Sequence, residues 1–78
     1  MPIFNFKVDD EPVSSDEKTL TPIQIMRLAK VDPATHYLVQ VLGGGKKNIN
    51  YKENPEEPIH MHEHMEFVTD STGPVPVS

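Results

Sequence analysis

The chain opens on a period of two. Phe4, Phe6 and Val8 alternate with Asn5 and Lys7, and such alternation marks a half-buried strand, because successive side chains of extended backbone point to opposite faces. Asp9-Asp10-Glu11-Pro12 supplies turn chemistry, and Val13 with its neighbours is expected to return as the second strand of a hairpin. The pattern changes at Thr21. Thr21-Pro22-Ile23-Gln24 reads as an N-cap, a proline at the first helical position and a glutamine placed to reach back to the cap. The helix so started is expected over about residues 22–30. It carries Pro22, Ile25, Met26 and Ala29 on one side, extended by Leu28, and Val31-Asp32-Pro33 ends it, since the residue before a proline avoids the helical region. So short a helix is unstable alone and must lay its apolar face on a sheet.

Tyr37-Leu38-Val39-Gln40-Val41-Leu42 is a near-continuous aromatic and β-branched run, the composition of a central strand. Gly43-Gly44-Gly45-Lys46-Lys47 turns the chain, Ile49-Asn50-Tyr51 is a short strand candidate, and Lys52 to Pro58 is a polar loop. Ile59, Met61, Met65, Phe67 and Val68 mark one last strand region, interrupted by histidines. The order is strand, strand, helix, strand, short strand, strand. It predicts an α+β domain of the β-grasp type, with a mixed sheet of four to five strands and one helix packed on one face. The domain is expected to occupy residues 1–70 and to be followed by a proline-containing tail over 71–78, and the element order requires no second helix.

Composition narrows the function classes. The chain has 78 residues, 12 acids against 7 bases for a net charge of −5, no cysteine and 8 prolines. Nonspecific binding to nucleic acid or anionic lipid needs clustered Lys and Arg, so partners of those two classes are not expected. Disulfides and thiolate metal sites are excluded by the missing cysteines. No apolar run approaches the roughly 20 residues of a membrane-spanning helix, and Met1-Pro2-Ile3-Phe4 lacks the layout of a signal peptide, so a cytoplasmic monomer is expected. The prolines fall at the joints between elements and in the tail, and none lies between Ala34 and Asn54, where backbone donors are committed to strands.

Phe4-x-Phe6-x-Val8, Leu20-Thr21-Pro22-x-Gln24-Ile25, Val31-Asp32-Pro33-Ala34-x-x-Tyr37-Leu38, Ile59-x-Met61, Phe67-x-Thr69 and Thr72-Gly73-Pro74-x-Pro76-Val77-Ser78 occur in that order along the chain. Together they resemble the bacterial multiubiquitin family of ubiquitin-like domains. The resemblance implies a ubiquitin-like β-grasp fold and a role as protein modifier. It also implies partners related to activating and conjugating enzymes and to JAB-type metalloproteases. A conjugated modifier of this kind uses a C-terminal glycine, whereas this chain runs on to Val77-Ser78. Processing after Gly73 would expose a single-glycine donor; the alternative is that Gly73-Pro74 begins an extended tail or a spacer between tandem copies. A sulfur-carrier role would share the fold and the need for an exposed glycine.

Four other constellations bear on function. If extended, His60-Met61-His62-Glu63-His64 places three imidazoles on one face at metal-ligand spacing, with His36 or Glu66 available to complete a shell. The same alternation also fits histidines on a solvent face with Ile59 and Met61 in the core. Val39 and Val41, if outward, would form an apolar patch beside Lys46 and Lys47 that a partner protein could read, although period alone leaves open which parity of residues 37–42 meets the helix. The Gly43–Lys47 run lacks the spacing and following helix of a phosphate loop. Ser14, Ser15 and the acids Glu53, Glu56 and Glu57 form no recognisable nucleophile and base set, so no catalytic residue, enzymatic activity or cofactor is expected. A noncovalent interaction module and a small His-rich metal-binding protein are the alternatives to a modifier.

Overall fold

The computed structural model describes residues 3–72. Among these the elements are β1 (Phe4–Val8), β2 (Glu11–Ser15), β3 (Thr19–Leu20), α1 (Pro22–Leu28), β4 (His36–Val41), β5 (Ile49–Asn50), β6 (Ile59–His60) and β7 (Met65–Ser71). Five strands form one sheet in the order β2-β1-β7-β4-β5, and β3 pairs with β6 in a separate two-stranded ribbon. The β1–β7 pair is parallel and the other pairs are antiparallel. Over the described residues the domain is therefore α+β, with a mixed five-stranded sheet and one helix.

The first hairpin closes through Asp9 and Asp10, both in left-handed backbone at φ 51 and 67, between the paired residues Val8 and Glu11. Two consecutive positive φ values make the turn whose twist matches that of the flanking strands; glycine or asparagine usually fills it, and aspartate tolerates it better than most residues. Asp9 also ties the hairpin to the last strand. Its N–H donates to the Phe67 carbonyl at 2.9 Å, and its carboxylate accepts from the Thr69 N–H at 2.8 Å and from the Thr69 hydroxyl.

The helix begins as its capping residues require. Thr21 Oγ1 accepts from the Gln24 N–H at 3.2 Å and Gln24 Oε1 accepts from the Thr21 N–H at 2.9 Å, satisfying two donors that the first turn would otherwise leave open. It ends earlier than the expected boundary near residue 30. Lys30 takes φ 63, the Lys30 N–H donates to the Arg27 carbonyl at 3.1 Å and the Val31 N–H to the Met26 carbonyl at 2.8 Å. These are the paired bonds of a Schellman stop, built on lysine instead of the usual glycine. Pro22, Ile25 and Met26 are buried. Leu28, expected on the same face, is 45% exposed, because it overhangs the edge strand beside Ile3, Ser14, Ser15 and Asp16.

The core joins both layers: Phe6, Val8, Leu20, Ile25, Met26, Leu38, Tyr51, Ile59, Met61 and Phe67. Tyr51 anchors the chain after β5. Its N–H donates to the Leu38 carbonyl at 2.9 Å and its hydroxyl to Gln40 Oε1 at 3.4 Å. Burial, assisted by the nearby Glu57 charge, raises its phenol above the ordinary value of 10.0. A phenol raised by folding contributes stability that is complete below about pH 10 and is lost as pH climbs through that value toward the folded pKa. Tyr51→Phe should therefore flatten the alkaline side of a urea-midpoint against pH profile, at a cost near neutrality of about 1 kcal/mol for the lost hydrogen bond. An unchanged alkaline limb would assign it to other groups.

The last strand region is divided. Ile59–His60 and Met65–Ser71 are separate strands in separate sheets, and the break is the turn around His64, which stands at φ 64. β7 continues through Ser71, and the Thr72 N–H donates to the Thr35 carbonyl at 3.0 Å. Ordered pairing thus reaches past the expected boundary at residue 70.

Candidate functional site

Helix α1 covers one face of the sheet, and strand parity decides what the other face presents. Leu38 is wholly buried with the helix residues, so its neighbours Tyr37, Val39 and Val41 belong to the opposite face. All three are half-buried. Register carries the same face onto β7, where Val39 lies beside Val68, Val41 beside Glu66 and Tyr37 beside Asp70. One strand further, Glu66 lies beside Lys7. The result is an apolar strip of Val41, Val39, Val68 and Tyr37 with charged residues along its β7 and β1 side. Val68 is 40% exposed. The Lys52 ammonium sits 5.6 Å from the Tyr37 ring centroid, a cation–π distance.

The parity that the sequence left open is thus resolved, with Val39 and Val41 on the uncovered face. Val68 and Tyr37 join them; the sequence pattern places Val68 in the last strand region without assigning it to a face. The signal was present in part: once Phe67 is assigned to the core, alternation sends Val68 outward. Lys46 and Lys47 stand exposed in the loop between β4 and β5. That loop turns through Gly44 and Gly45 at φ 70 and 82, backbone that glycine adopts at no steric cost, and the Leu42 N–H donates to Asn48 Oδ1 at 3.2 Å. It delivers the lysines at the end of the apolar strip.

The histidines are placed otherwise than the extended reading required. His60 and His62 do share a side, with ring centroids 6.2 Å apart. His64 leaves them. The chain turns there, with the His62 N–H directed at Met65 Sδ at 3.1 Å and the His64 N–H donating to the Asn5 carbonyl at 2.8 Å. His64 instead lines a recess of about 230 Å³ with Asn5, Lys7, Pro12 and Glu66. The three-histidine face over His60, His62 and His64 is therefore corrected: alternation fails where the backbone enters left-handed geometry. Among the described residues no group of three or more His, Asp or Glu side chains could hold a metal ion. Of the expected additional ligands, Glu66 lies on the main sheet beside Lys7, and His36 Nδ1 is 2.9 Å from the Thr35 hydroxyl.

Ser15 Oγ accepts from the Glu17 N–H at 3.1 Å, a turn-forming bond. Gly73, the expected processing position, lies outside the described residues. The chain approaches it from the middle of the sheet, since β7 pairs with β1 on one side and β4 on the other. Among the described residues no helix is long and apolar enough to cross a membrane. Compared with protein-family models, with curated proteins and with solved structures, the chain matches none.

Proposed function

We propose that this chain is a ubiquitin-like β-grasp domain that acts as a protein modifier or modifier precursor, read by activating- and conjugating-enzyme-like partners and processed near Gly73. The ordered resemblance to the bacterial multiubiquitin family supports the reading, as does a mixed sheet with its single helix on one face. The observation that carries its recognition by partner proteins is the strip of Val39, Val41 and Val68, which none of the described elements covers. A face of half-exposed aliphatic side chains beside charged ones is the composition of a protein recognition surface, and the core does not require it.

The test is the tagged full chain expressed together with activating- and conjugating-enzyme-like proteins and a JAB-type metalloprotease of the classes that the resemblance implies. The expected result is a species ending at Gly73 by mass spectrometry and covalent conjugates that disappear with Gly73→Ala. Val39→Arg should weaken binding to the activating partner about tenfold, or roughly 1.4 kcal/mol, while leaving the fold intact. An intact mass throughout, with no conjugates, would overturn the modifier reading. The second reading is a noncovalent interaction module, favoured by an apolar strip that is complete without any residue beyond Thr72. Its signature is a partner that survives Gly73→Ala and is lost with Val39→Arg.

A further inference from the structure

We propose that His60 and His62 together form a two-imidazole site for a divalent transition-metal ion, with Cu²⁺ preferred, on the ribbon that joins β3 and β6. The site is independent of the modifier reading and excludes His64.

The pairing follows from the backbone. Thr19 lies opposite His60, and the Met61 N–H donates to the Lys18 carbonyl at 2.8 Å, so strand-like pairing extends one residue beyond His60. Met61 is buried. Extended backbone with the middle side chain turned inward must turn the residues on either side outward together, at about 6.8 Å for two residues of rise. The observed ring centroids are 6.2 Å apart and the ring planes meet at 36°. A metal bound at about 2.0–2.1 Å to one nitrogen of each ring lies about 3 Å from each centroid. The two rings can therefore close on one ion by side-chain rotation, without moving the backbone.

Both residues are exposed, so this rotation disturbs no core packing. Among the described residues neither ring is committed to a hydrogen bond or ion pair, unlike the ring of His36 with its Thr35 partner. Two neutral imidazole nitrogens with the remaining positions open to water suit Cu²⁺, Ni²⁺ and Zn²⁺, and the general affinity order of such sites puts Cu²⁺ above the other two. The protein supplies two donors instead of the four of a structural zinc site, so the ion would not be needed for folding.

The experiment titrates the full chain with CuCl₂, and separately with ZnCl₂, by calorimetry and by amide NMR spectra. One equivalent of Cu²⁺ should bind first, and its paramagnetism should broaden the amides of Thr19, His60 and His62 before all others. Changes outside the direct ligands alone cost protein metal sites about 10–100-fold. His60→Ala and His62→Ala should therefore each weaken Cu²⁺ binding by at least about tenfold, while His64→Ala stays within about twofold of the parent chain. Zn²⁺ should shift the same amides at higher concentration. Three results would overturn the site: broadening centred on the N-terminal residues, unchanged affinity in His60→Ala and His62→Ala, or a loss in His64→Ala as large as theirs. Dispersed amide spectra of the variants establish that each remains folded.

Discussion

Phe67→Ala is expected to destabilise the domain by about 3–5 kcal/mol. Phe67 is 1% exposed on the middle strand of the sheet, opposite Val8 on one side and Gln40 on the other. Its ring meets Phe6 edge to face, at 5.9 Å and 83°, a geometry that adds to simple burial. Truncating a buried phenylalanine to alanine costs about 3–5 kcal/mol, because the cavity left behind collapses only in part. A chain of 78 residues has a total stability of roughly 4–12 kcal/mol at about 0.05–0.15 kcal/mol per residue. Small domains bury a smaller fraction of their surface, and this one has no cysteine with which to compensate. The loss is therefore a large part of the margin. Circular dichroism during urea and thermal unfolding measures it, with Phe67→Leu as the milder companion, expected to stay folded with a loss of about 1–2 kcal/mol. A cooperative Phe67→Ala transition within 1 kcal/mol of the parent chain would remove Phe67 from the centre of the core.

The second large effect is a contrast between adjacent residues. Leu38→Ala should cost about 2–5 kcal/mol, whereas Val39→Ala should cost about 0.5–1 kcal/mol, since only part of its surface leaves water on folding. Leu38 is 0% exposed against the helix, and Val39 stands half-buried on the uncovered face. Urea midpoints with an unchanged denaturant slope would assign the difference to stability alone. If Val39→Ala were the costlier change, the two faces of the sheet would be exchanged and the recognition strip would lose its basis. A small stability effect with weakened partner binding is the pattern expected of a surface residue used for recognition.

The two expectations draw on very different amounts of sequence information. The β1 alternation was legible because Asn5 and Lys7 separate Phe4, Phe6 and Val8 by polarity as well as by parity. In β4 the same parity was illegible. Tyr37, Val39 and Val41 are as apolar as Leu38, so no local preference ranks the two faces, and their roles depend on where α1 comes to rest. The helix start was legible because Thr21, Pro22 and Gln24 act within one turn. Its end was not, because Lys30 adopts the left-handed backbone that glycine or asparagine would have advertised. The strands β3 and β6 are two residues each, too short to carry a period, and they exist because Leu20 and Ile59 meet across the core from distant parts of the chain.

The candidate sites divide in the same way. His60, His62 and His64 are equally spaced in sequence, yet only the first two share a face, since the turn that feeds β7 reverses the third. Val39 and Val68 are 29 positions apart and become neighbours only through the β4–β7 register. What the sequence determined by itself was local: the first hairpin, the capped helix start, the strand-rich composition around one short helix, and the absence of thiols and of clustered basic charge. What only the tertiary structure decided was which side of each strand is covered, which histidines remain together, and where an apolar strip is left facing solvent. These are properties of pairing and packing between distant segments, and side-chain chemistry specifies them only once the backbone has brought those segments into register.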